Sequence, residues 1–222
     1  MMGSTESDSV LRLFRRACHW HPDNTAVDSG LKRTLSYRQL DQQSTKLAVR
    51  LQESGIEVGQ VVPLLTSSRL EMVIAVLGIL KAGGVYVPVD IDQWPPNRIN
   101  YVLSRTNSGL VVYTGNELPS QVDLPENCRV IQVHLQSSAS FEQINPGEVC
   151  ETNSYPHLMC VIFTSGTTDK PKGVKIPHSS VARFVSSPGF NYNIEPGDRV
   201  LLVLSVAFDG KFNQSITPSQ TL

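Results

Sequence analysis

The chain has 222 residues, 40% of them hydrophobic and 18% charged, with a formal net charge of -1. That length and apolar content bury a sizeable core in one large domain or two small ones. The near-zero charge leaves no broad basic field, so neither nucleic acid nor an anionic membrane is expected as the main partner.

Residues 1–8 are mostly small and polar and read as a disordered N-terminus, with no basic stretch followed by an apolar one and hence no secretory signal. Asp8 or Ser9 offers an N-cap for a short amphipathic helix through Val10, Leu11, Phe14, Ala17 and Cys18. "NTAVDSGLKRTLSY" predicts a hairpin turning at Ser29-Gly30. Ser36-Tyr37-Arg38-Gln39 is a capping-box pattern, opening a helix with a core stripe of Leu40, Leu47, Ala48 and Leu51. Gly55 stands where a left-handed residue would end that helix.

From there strands and helices alternate. "QVVPLLT" reads as a strand, "RLEMVIAVLGILKAGG" as a helix closed by Gly83-Gly84, and "VYVPVD" as a second strand. "PPNRINYVLSRTNS" begins with prolines suited to a first helical turn and ends at Asn107 to Gly109. "GLVVYT", "RVIQVH" and "LMCVIFT" are short β-branched runs. The stretch between the last two has no clean period and reads as a long surface connection. "SSVARFVSS" reads as a helix and "DRVLLVLS" as a buried strand. Near-continuous apolar strands alternating with helices predict an α/β fold, one unit with a mostly parallel sheet covered on both faces.

The longest apolar run, around Met72 to Leu80, is far too short to span a bilayer. Cys18, Cys128, Cys150 and Cys160 form no Cys-x-x-Cys pair and read as free thiols in a reducing, cytoplasmic setting. Asp90 reads as a cap for the loop after its strand, and Trp94 as packing.

The chemistry concentrates in "VIFTSGTTDKPKGVKIPHSS". Thr164-Ser165-Gly166-Thr167-Thr168 sets hydroxyl donors on a pliant backbone, and Gly166 lets successive N–H groups point inward around an anion. Lys170 and Lys172 add charge, and Gly173 releases the chain into a strand from Val174 to Ile176. The pattern is neither a P-loop, since Pro171 stands at the second glycine position, nor a G-x-G-x-x-G fingerprint. From the residues alone, polyphosphate binding and an ordinary Ser/Thr/Gly hairpin turn both remain open.

"FTSGTTDKPKGV" closely resembles the phosphate-binding signature of the adenylate-forming enzymes, which include acyl-CoA synthetases, luciferases and the adenylation domains of nonribosomal peptide synthetases. "LSYRQLDQQSTKLAVRL", "LKAGGVYVPVD" and "GDRVLLVLSVAFD" are similar, in order, to the family's N-terminal core motifs. "YVPVD" and Phe208-Asp209 favour the peptide-synthetase-like branch. The resemblance implies attack by a substrate carboxylate on the α-phosphate of ATP, giving an acyl-adenylate and pyrophosphate, after which a thiol takes the acyl group. It implies ATP and Mg²⁺ as cofactors, with phosphopantetheine only on a separate or missing carrier domain, and an amino or other carboxylic acid plus a carrier protein as partners. It places Thr164, Ser165, Gly166, Thr167, Thr168 and Lys172 on the outer phosphates, His178 near the acyl pocket, and Asp209 opposite a substrate ammonium. The position of Asp169 is usually glycine in that family, and a carboxylate there repels polyphosphate unless it turns outward or meets Mg²⁺.

On this reading residues 9–209 are the N-terminal core of an AMP-binding domain, part of the large subdomain, and 210–222 are a non-matching tail with little apolar periodicity. The family's adenine-binding, ribose-binding and Mg²⁺-ligating segments and its C-terminal lysine would follow Asp209, so the chain is expected to be inactive alone. Gly210-Lys211 admits the codons GGT-AAG, which contain the usual start of an intron. A mis-spliced gene product, or an inactive remnant that binds nucleotide or phosphate, is the alternative.

Overall fold

The computed structural model describes residues 9–30, 33–67, 69–135, 157–164, 170–186 and 198–199. The sequence assignments to 1–8, to the connection from 136 to 156, to Ser165–Asp169 and to everything beyond Arg199 lie outside these residues.

Helix α1 (Val10–Trp20) buries Val10, Leu11 and Ala17, with Phe14 and Cys18 half-buried beside them. Ser9 holds the N-cap position, but its hydroxyl caps nothing and is buried without a partner. The Ser9 carbonyl instead accepts the N–H groups of Arg12 and Leu13. Strands β1 (Thr25–Asp28) and β2 (Thr34–Ser36) pair antiparallel, and the loop between them runs from Ser29 to Arg33 rather than turning in two residues. Gly30 takes a φ of 78°, and its N–H donates to the Asp28 carboxylate at 2.8 Å.

Helix α2 (Tyr37–Glu53) starts with the expected capping box. The Ser36 hydroxyl accepts from the Gln39 N–H at 3.2 Å, and Gln39 Oε1 accepts from the Ser36 N–H at 2.9 Å. Two first-turn donors are thereby satisfied, worth about 1 kcal/mol. Leu40, Leu47, Ala48 and Leu51 all face inward.

Then come β3 (Val61–Thr66), α3 (Arg69–Lys81), β4 (Val85–Asp90), α4 (Pro96–Thr106), β5 (Leu110–Tyr113), β6 (Arg129–Gln132), β7 (Leu158–Thr164), β8 (Lys172–Pro177) and α5 (His178–Ser186). Six strands form one sheet in the order β6-β5-β3-β4-β7-β8, parallel except for β8, which runs against β7.

Both faces of this sheet are covered, which explains the unbroken apolar strands. Val62, Leu64, Tyr86, Val112, Cys160 and Ile162 join the α1–α2–α3 and α5 side. Their neighbours Leu65, Val87, Val89, Val111, Val161 and Phe163 join Ile99, Val102 and Leu103 of α4 on the other. Helix α3 is apolar nearly all round because it lies between α2 and the sheet. Its Gly78 lets α2 approach: a Cβ there would stand 2.6 Å from Leu47 Cδ2.

Lys81, the last residue of α3, locks the helical layer. Its ammonium donates to the Asp41 carboxylate at 2.7 Å and to Asp41 O, Ser44 Oγ and Thr45 Oγ1 at 2.8 to 2.9 Å. It also stands 5.4 Å from the centre of the Phe14 ring. Burial pulls the lysine pKa down, against the opposing pull of Asp41.

Candidate functional site

In an open α/β sheet, ligands bind beyond the carboxyl ends of the strands. At that edge stand Thr66 of β3, Asp90 of β4, Tyr113 of β5 and Thr164 of β7. Asp90 caps its own loop as expected: its Oδ1 accepts the N–H groups of Asp92 at 3.2 Å and Gln93 at 3.1 Å. Burial, and then the Asp90 charge, push the Asp92 pKa up.

Strands β7 and β8 form a hairpin in which Phe163 is opposite Gly173 and Thr164 opposite Lys172. Antiparallel partners project their side chains to the same face, so the Thr164 hydroxyl and the Lys172 ammonium flank one mouth. Both are exposed. Space at Gly173 is tight: a Cβ would come to 3.0 Å from Val161 Cγ1 and 3.3 Å from Phe163 Cζ. Of the six phosphate-site residues expected from the sequence, the structure thus places Thr164 and Lys172 together. Ser165, Gly166, Thr167 and Thr168 lie outside the described residues, as does Asp209.

His178 is elsewhere. It opens α5 just after Pro177, at the far end of β8 from Lys172, about 17 Å along an extended strand of this length. Its N–H donates to the His157 carbonyl at 3.1 Å. The residue is 5% exposed and neither ring nitrogen has a partner among the described residues, so it does not satisfy nearby backbone there. Burial, helped by the neighbouring His157, lowers its pKa from 6.5 to about 4. It is a neutral imidazole at physiological pH.

One residue at the carboxyl edge has no counterpart among the sequence expectations. Arg98, in the first turn of α4, lays its guanidinium 3.9 Å from the centre of the Trp94 ring and donates from Nη2 to the Phe163 carbonyl at 3.2 Å. Its Nε is buried without an acceptor, and burial lowers its pKa. The only signal in the sequence was the four-residue spacing of Trp94 and Arg98 at a proline-started helix.

The thiols stand apart from this chemistry. Among the described cysteines, Cys18, Cys128 and Cys160 are free. Burial raises Cys18 and Cys160 to about 12, so neither carries thiolate at neutral pH. Among the described residues no helix is long and apolar enough to cross a membrane, and no cluster of three or more His, Cys, Asp or Glu could hold a metal ion.

A parallel sheet with a hydroxyl and a lysine side by side at its carboxyl edge is a place where an α/β protein can hold an anion, and comparison with known proteins supplies the family. The chain belongs to the AMP-binding enzyme family, whose sequence profile matches residues 14–219. The nonribosomal peptide synthetases echPS of Aspergillus ruber and criC of Aspergillus cristatus are each 68% identical to it across 94% of its length. The match covers 10% of each of them, so the chain spans about a tenth of the length of these curated relatives. Among solved structures, the AMPPNP-bound nonribosomal peptide synthetase FmoA3 superimposes on 96% of the chain with a TM-score of 0.79 at 28% identity, over 22% of its own length. The N-terminal subdomain of Klebsiella oxytoca NpsA shares the fold, with a TM-score of 0.73.

Proposed function

We propose that this chain is part of an adenylation domain that activates an amino or other carboxylic acid with ATP, in the cytoplasm, for nonribosomal peptide synthesis. The observation that carries the reading is the β7–β8 mouth. A cation and a hydroxyl face each other at the carboxyl edge of a parallel sheet, in a chain of the AMP-binding family.

In this reaction the substrate carboxylate oxygen forms a bond to the α-phosphorus, the bond to the bridging oxygen breaks, and pyrophosphate leaves with the electron pair. The groups of this chain hold and orient the leaving portion. Lys172 supplies a fixed positive charge against the developing charge on pyrophosphate, and the Thr164 hydroxyl and those of Ser165, Thr167 and Thr168 donate hydrogen bonds to its oxygens. Preorganised donors of this kind act by electrostatic stabilisation and positioning, not by covalent chemistry. Mg²⁺ would neutralise phosphate charge when bound with ATP. Asp209 would pair with the α-amino group of the substrate. His178, buried and remote from the mouth, would reach only the acyl side. A carrier-borne phosphopantetheine thiol would accept the product.

We further propose that residues 9–209 form the N-terminal core of the domain and that this span does not complete the reaction alone. Two measurements on the 222-residue chain test the reading. ATP and inorganic tripolyphosphate are expected to raise its melting temperature, since a ligand that binds only the native state stabilises it. Substrate-dependent ATP–pyrophosphate exchange is expected to be absent. No stabilisation by either ligand overturns the phosphate site, and measurable exchange overturns the claim that the span is insufficient.

A further inference from the structure

The charged and nucleophilic groups outside the mouth divide by whether they are satisfied. Lys81 is surrounded by acceptors, and Cys18 and Cys160 are held protonated. Arg98 differs. Its guanidinium is half-buried, with no carboxylate partner among the described residues. Taking a cation partly out of water without a counter-charge is unfavourable, so something holds it there. Two contacts do: the face of Trp94 and the backbone carbonyl of Phe163.

That carbonyl belongs to the residue before Thr164. The ladder between β4 and β7 registers only Tyr86 opposite Cys160, three residues earlier. Past that point the carboxyl end of β7 is held to β8 on one side, while on the other Arg98 adds a polar tie to the apolar packing of Val161 and Phe163 against the α4 layer. A hydrogen bond from a charged donor is stronger than a neutral one, and a planar guanidinium stacked on an indole has little freedom to move.

We propose that Arg98 is a positioning residue of the phosphate site. It ties the first turn of α4 to the end of β7 and so sets where Thr164 is presented. The inference rests on the phosphate-binding reading above. Trp94 makes it measurable, because the chain contains two tryptophans and the other, Trp20, is 69% exposed.

In the 222-residue chain carrying Trp20→Phe, tripolyphosphate is titrated and followed by Trp94 emission and by the melting temperature. Arg98→Met keeps the aliphatic stem and removes the donors, and is expected to weaken tripolyphosphate binding about tenfold. Arg98→Lys keeps a cation able to reach one acceptor and is expected to recover part of that loss. Amide exchange over residues 158–164, measured without ligand, is expected to quicken in Arg98→Met and to slow again in Arg98→Lys. Unchanged binding in Arg98→Met while the parent binds, or unchanged exchange over 158–164, overturns the proposal. So does a loss that tracks an equal fall in ligand-free melting temperature and that lysine does not relieve, because that marks Arg98 as mere packing. A parent chain that ignores tripolyphosphate is a different failure: it removes the phosphate site itself, and the proposal with it.

Discussion

Replacing the buried imidazole of His178 changes how the chain responds to acid. In the folded protein this ring stays neutral down to about pH 4, whereas an unfolded chain protonates it near 6.5. Between those values the unfolded state binds more protons, so stability falls as the pH drops. The contribution of the neutral ring is fully present above pH 6.5 and is lost progressively toward pH 4. A shift of this size corresponds to about 3 kcal/mol over the window, or about 1.4 kcal/mol per pH unit within it. His157, the neighbouring histidine, is exposed and common to both proteins. His178→Leu removes the titrating group while keeping apolar bulk. Urea unfolding of the parent and of His178→Leu at pH 7.0, 6.0, 5.0 and 4.5 gives the stability difference directly. It should move in favour of the leucine variant by about 2 kcal/mol from pH 7.0 to pH 4.5. Parallel stability curves would show that His178 is solvated or partnered in solution, and the reasoning from burial would fail.

Lys81→Met strands the Asp41 carboxylate and removes the polar tie between α3 and α2. Because Asp41 can turn partly to water, the expected loss is about 2 kcal/mol, below that of a fully buried pair, read as a lower urea midpoint with an unchanged slope. Gly78→Val forces α2 and α3 apart at Leu47 and should cost about 2 kcal/mol; an unaltered midpoint would show that the helices do not touch there. With a thiol reagent at pH 8, peptide mapping should find Cys18 and Cys160 unmodified until urea unfolds the chain. Prompt labelling of either in the native protein contradicts the raised thiol pKa of Cys18 or the burial of Cys160. Asp169→Gly should tighten tripolyphosphate binding by removing a like charge, and weaker binding would mean that Asp169 turns outward or assists.

Much of this molecule could be read from local pattern. The capping box at Ser36–Gln39, the left-handed Gly55 and Asn107, and the proline entry to α4 all depend on contacts within a few residues. Apolar strands alternating with helices likewise predicted a sheet covered on both sides, because a strand buried twice has no polar face to show. Ser9 departed from expectation: its position was right, but local rules do not say whether a cap's hydroxyl will find its N–H or be buried beside it. The hairpin at Ser29 was legible as a turn but not in its length, which is set by the pairing of Asp28 with Thr34 across the ladder.

The candidate site divides the same way. Thr164 and Lys172 were legible because the motif puts hydroxyls and lysines in one short stretch, and an antiparallel register then sets the two face to face. What sequence order could not decide was distance across the fold. His178 lies six residues from Lys172 in the chain yet at the other end of β8, because an extended strand carries it there. Arg98 lies 65 residues from Phe163 yet touches its carbonyl, because α4 lies over β3 and β4 and the long side chain reaches the neighbouring strand β7. By itself, then, the sequence determined the family and most of the described elements, both of which are encoded in short spacings. Only the tertiary structure decided which cations stand at the carboxyl edge and which imidazole is shut away from water, since burial and long-range approach belong to the packed layers and not to any one segment.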